Sequence, residues 1–82
     1  MTAYLAYLPD APDIEALEID GAVFAMDSRV LLIETGLTRS RLYHALKRQL
    51  PGGAALLVAP LADAPKFKGM ADGALKAARS LF

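Results

Sequence analysis

Residues 22–36 read AVFAMDSRVLLIETG, and the fold turns on them. Two apolar runs rich in strand formers, Ala22 to Met26 and Val30 to Glu34, flank the polar triplet Asp27, Ser28 and Arg29. Gly21 stands ahead of the first run and Gly36 closes the second. Short strand-forming runs separated by a few turn residues spell a β-hairpin. The rest of the chain is arranged around that hairpin.

Upstream, Thr2 to Leu8 alternates Tyr4, Ala6 and Leu8 with Ala3, Leu5 and Tyr7, so both of its faces are apolar. That is the pattern of a central strand covered on both sides. Tyr4 and Tyr7, three apart, point to opposite faces, with a core or rim role as the default and a dimer contact as the alternative. Pro9 ends the strand. Asp10 stands at a helix N-cap, Pro12 in the first turn, and Asp13 and Glu15 where the helix dipole favours acids. The reading is a short helix from about Ala11 to Glu18, with Ile14 and Leu17 facing the sheet. This crossover, Pro9 to Gly21, has 13 residues. A parallel connection needs about a dozen. Were it too short, the first strand would be an edge or would belong to a partner chain.

Downstream, Thr38 caps a helix running to Leu50, stopped by Pro51, Gly52 and Gly53. Leu42, Ala45, Leu46 and Gln49 share one side of it, and Ser40, Arg41, His44, Lys47 and Arg48 the other. Ala54 to Ala59 is a continuous apolar run ended by Pro60, read as another interior strand. A loop from Asp63 to Gly69 follows. From about Met70 the chain reads as helix, with Ala71, Ala74, Leu75, Ala78, Leu81 and Phe82 on one stripe and Asp72, Lys76 and Arg79 opposite. The order gives an α+β class. The first six elements make the ferredoxin-like βαββαβ pattern, an antiparallel sheet with helices on one face, and a C-terminal helix is added. That last helix could cover the open sheet face or swap onto another subunit.

The chain has 82 residues, 55% of them hydrophobic, enough for one domain over residues 1–82. With no cysteine it has no disulfide, thiolate ligand or nucleophilic thiol. So small a core makes homodimerisation a fair default. No apolar run approaches the ~18 residues of a membrane span, and the N-terminus lacks a signal-peptide pattern. The expectation is a cytoplasmic protein without membrane contact. Nine basic and nine acidic residues cancel, but unevenly. Residues 1–35 hold seven acids and one base, and residues 36–82 hold eight bases and two acids. Either the two halves complement each other within the molecule, the favoured reading, or a basic surface is exposed.

Four segments together, AYLAYL (3–8), VLLIETG (30–36), TRSRLYHALKRQL (38–50) and ALLVAPLADAPKFKGM (55–70), resemble the small SinR-like proteins related to the CRISPR-associated Cas2 family. The resemblance covers roughly residues 2–70 and is one of hydrophobic order, with no catalytic signature. It implies a ferredoxin-like homodimer, in some members a metal-dependent nuclease and in others a structural element holding DNA. The family's nuclease activity is tied to an aspartate at the end of the first strand. Here that strand ends Tyr7, Leu8, Pro9, and the first acid, Asp10, lies past the proline.

The best candidate surface is basic. Arg39, Arg41, His44, Lys47 and Arg48 lie along the second helix, with Arg41, His44 and Arg48 at i, i+3 and i+7, a spacing that can follow phosphates. Lys66 and Lys68 flank Phe67, an aromatic able to stack on a base. The plainer reading is a solvated helix face, with Lys47 and Arg48 suiting the negative end of the helix dipole. Asp10, Asp13, Glu15, Glu18 and Asp20 would suit a hard cation, but capping and the solvent face account for them. His44 has nothing to orient it as an acid or base. Pro51-Gly52-Gly53 precedes a strand and so is no phosphate loop. The sequence therefore points to no catalytic residue, metal or cofactor. It favours a non-enzymatic, dimeric interaction or scaffold domain. The alternatives are nucleic-acid binding through the basic second half and, less favoured, a metal-dependent nuclease using Asp10.

Overall fold

The computed structural model describes residues 1–82 throughout. Four strands form one antiparallel sheet: β1 (Thr2–Tyr7), β2 (Ala22–Ala25), β3 (Val30–Thr35) and β4 (Leu57–Pro60), in the order β2-β3-β1-β4. Two helices accompany it, α1 (Arg39–Lys47) and α2 (Ala74–Ser80). The hairpin of β2 and β3 forms as expected, and β1 is central, flanked by β3 and β4.

The sheet separates two apolar cores. On one side Tyr4, Ala6 and Leu8 of the β1 segment and Leu31 and Ile33 of β3 pack with Ile14 and with Leu42 and Leu46 of α1. On the other, Leu32 and Met26 pack with Ala74 and Ala78 of α2, and with Leu5, Phe24, Phe67, Met70 and Leu81 around them. The alternation of β1 explains this division, since successive side chains leave opposite faces of a strand. The C-terminal helix therefore covers the sheet face left open by α1.

The expected first helix, Ala11 to Glu18, does not form. A three-residue 3-10 turn, Ile14–Ala16, stands in its place, capped by Asp13, whose carboxylate accepts from the Glu15 N–H at 3.0 Å. Geometry supplies the reason. The segment leaves the end of β1 and must return the whole length of the sheet to start β2, passing over β3. Extended chain covers about 3.3 Å per residue and helix only 1.5 Å. With 13 residues, stretching wins over winding. The face expected to carry two helices thus carries α1 and a largely extended strap.

Other boundaries shift for local reasons. Thr38 caps α1 as expected, accepting from the Arg41 N–H at 3.3 Å, but the helix ends at Lys47 rather than Leu50. Its last residues tighten into i to i−3 bonds, Gln49 N–H to Leu46 and Leu50 N–H to Lys47. The strand expected over Ala54 to Ala59 begins only at Leu57, because Ala54 bonds back to Pro51 and the Ala55 N–H is held by the Asp10 carboxylate at 3.1 Å. The helix expected from Met70 begins at Ala74, after Gly69 and Gly73, both at positive φ. Of its expected apolar stripe, Ala74 and Ala78 are buried, whereas Leu75 and Phe82 are exposed.

Two bonds set the phase of the sheet. Leu61 N–H donates to the Ala3 carbonyl (2.8 Å), and Leu8 N–H to the Arg29 carbonyl (2.7 Å). In an antiparallel ladder hydrogen-bonded and non-bonded pairs alternate. Ala3, Leu5 and Tyr7 therefore direct their backbone groups at β4, and Tyr4, Ala6 and Leu8 direct theirs at β3. On β4, Leu57 and Ala59 face β1, while Val58 and Pro60 turn theirs to solvent. Pro60 fits inside the strand because the N–H it lacks would have pointed outward.

Candidate interaction surfaces

The sequence-designated residues fall on two different sides of the sheet. Arg39, Arg41, His44, Lys47 and Arg48 are all exposed on α1. The His44 ring meets Tyr43 edge-on at 5.2 Å between centroids, and the Lys47 ammonium sits 5.9 Å from the Tyr43 ring centre. Beside α1 runs the acidic strap of residues 10–20. The two are clasped by Gln49, whose side-chain oxygen accepts from the Glu18 N–H and whose nitrogen donates to the Glu18 carbonyl, each at 2.7 Å. This face of the sheet carries both the acidic strap and the bases of α1.

Lys66, Phe67 and Lys68 belong to the other face. Phe67 is half-buried, packed on the core under α2, so its ring is committed to the fold and is not a free stacking platform. Around it the loop and α2 enclose a shallow groove lined by Lys68, Lys76 and Arg79 together with Asp72. An adjoining cleft joins Lys66 to the same Arg79. The structure thus splits the expected basic cluster and gives its loop half two companions, Lys76 and Arg79, that the sequence placed on a solvent stripe. Their signal was present in that stripe: α2 carries no acid among its residues 74–80.

Three of the aspartates are occupied with backbone. Asp10, Asp13 and Asp27 each accept from a main-chain N–H, of Ala55, Glu15 and Arg29 respectively. Asp10 is therefore not the cap of a helix but a strut between the strap and the segment leading into β4. No three of the acids and His44 converge where they could hold a metal ion.

A third surface is apolar. Tyr7 and Leu57 face each other across β1 and β4 on the α2 side, yet 42% of Tyr7 and 52% of Leu57 remain exposed. Tyr4, by contrast, is buried with its hydroxyl donating to the Leu37 carbonyl at 2.9 Å. The sequence separated the two tyrosines correctly but gave no sign that α2 would stop short of Tyr7. No helix is long and apolar enough to cross a membrane. No protein family, curated protein or solved structure matches this chain.

Proposed function

We propose that this chain is a small, non-enzymatic interaction domain whose first partner is a second copy of itself. One observation carries the reading: the Tyr7–Leu57 pair, apolar and half-exposed across β1 and the outermost strand β4. A domain this size buries only about 60% of the surface its unfolded chain exposes, so covering such a pair in a partner adds stability it needs. In this reading the molecule is a ferredoxin-like domain related to SinR-like and Cas2-like proteins. The supporting feature is the placing of β3 between β1 and β2, with β4 outside β1. The strap in place of a first helix is its departure from that pattern.

Light scattering on the purified chain at tens of micromolar tests the proposal. A mass of two chains is expected, and a single-chain mass there overturns it.

A second reading has its own observation in its favour, two adjoining clefts that meet at Arg79, one lined by Lys68, Lys76 and Asp72 and the other by Lys66 and Asp63. In that reading the domain binds nucleic acid through phosphates. If all four cations contact a single strand, affinity falls about 50-fold between 50 and 200 mM salt. Absence of any gel shift of DNA or RNA at the lower salt rules it out. The metal-dependent nuclease is the reading with least support, because Asp10 is engaged with Ala55 and no acid cluster accompanies it.

A further inference from the structure

The homodimer reading leaves open where the copies meet, and the backbone phase of the sheet points to a place. We infer that two copies join edge to edge through β4, antiparallel about a two-fold axis at Val58, so that two four-stranded sheets become one of eight strands. This inference rests on the homodimer reading and specifies its contact.

The outward backbone groups of β4 fit such a pairing. Val58 presents both its N–H and its C=O, Pro60 presents a C=O, and Leu56, one step before the strand and in phase with them, presents an N–H. A two-fold at Val58 pairs that residue with Val58 of the second copy, giving two hydrogen bonds. It also sets Leu56 opposite Pro60 of the second copy, so the N–H of one meets the C=O of the other, twice. Proline's missing N–H removes only the reverse bonds of that outer pair.

The side chains fit as well. Leu57 comes to lie opposite Ala59 of the second copy, large against small, and Tyr7 flanks Leu57 on the same face. The half-exposed pair is thereby covered. Residues 54–62 read AALLVAPLA and include no charge. Natural edge strands are commonly guarded by lysines, inward charges or bulges. The only guard on β4 is Pro60. The opposite edge, β2, is a poorer candidate because Asp20 and Asp27 stand at either end of it.

Sedimentation equilibrium of the full chain distinguishes the possibilities. Val58→Pro removes the central N–H of each copy without touching the ladder to β1, and loss of those two bonds raises the dimer dissociation constant about 30-fold. Leu57→Lys, at a half-exposed position where folding tolerates a charge, gives a monomer with the circular dichroism of the parent. Val23→Lys on the β2 edge stays dimeric. If Val58→Pro fails to fold, Leu57→Lys decides alone. A parent dimer that survives the β4 substitutions, or that only Val23→Lys dissociates, overturns the β4 edge while leaving the homodimer standing. A monomeric parent overturns both.

Discussion

At the scale of single residues, the most constrained corner of the molecule is the start of β2. Gly21 has φ of +148°, and a Cβ built there would lie 2.2 Å from the Glu34 carbonyl oxygen. Next to it Thr35, fully buried, donates its hydroxyl to the Asp20 carbonyl and accepts from the Leu37 N–H at 3.1 Å. One hydroxyl thus ties the end of the strap to the exit from β3. Thr35→Val keeps the shape and loses both bonds, leaving an amide and a carbonyl short of partners. The expected loss is about 2 kcal/mol, read as a lower midpoint in urea with unchanged slope. Gly21→Ala meets backbone rather than a movable side chain and is expected to cost more than about 1 kcal/mol in the same measurement. The hairpin glycine was visible in the sequence as a turn marker. That it is pressed against β3 was not, because closeness across a sheet depends on register.

At the scale of elements, Gln49 shows what periodicity conceals. It falls on the apolar side of α1, where a glutamine reads as a tolerated misfit. In the structure its amide satisfies both backbone groups of Glu18 and donates to the Ala45 carbonyl at 2.9 Å, so it fastens strap to helix. Gln49→Ala is expected to cost about 1 kcal/mol. The larger effect should be local: faster hydrogen exchange at the Glu18 amide, with β1 and β3 amides unaltered. The strands, the hairpin and α1 were legible because each has its own pattern of alternation, turn residues or capping. The strap was misread as helix because capping and dipole signals are local, whereas the distance it must cover is set by the length of the sheet. The late start of α2 has a similar cause, since Gly69 and Gly73 act through positive φ that a helical stripe does not reveal.

At the scale of the whole molecule, the two-signed charge of the chain has become a matter of sides. The acidic strap and α1 lie on one face of the sheet, and the hydrogen bonds joining them run from the Gln49 side chain to the Glu18 backbone rather than between opposite charges. The bases of residues 66–79 lie on the far side of the sheet, with Asp63 and Asp72 among them. The two cores differ as well: eight buried residues under α1 and the strap, four under α2, two of those four alanines. Native-state hydrogen exchange should therefore show α2 opening well below the global unfolding free energy, and β1 and β3 opening only with it. Equal protection of α2 and β1 would contradict that picture. Leu46→Ala, emptying the larger core, is expected to cost about 3 kcal/mol in urea denaturation.

The symmetry of a β4 contact also decides how far sheet-to-sheet growth can run by that route. A chain with two bare edges can stack without limit, each copy offering its neighbour a fresh template, and that is the route to ribbons and fibrils. A contact through β4 is isologous, the same edge of both copies meeting about one two-fold axis, so that contact closes on itself at two chains.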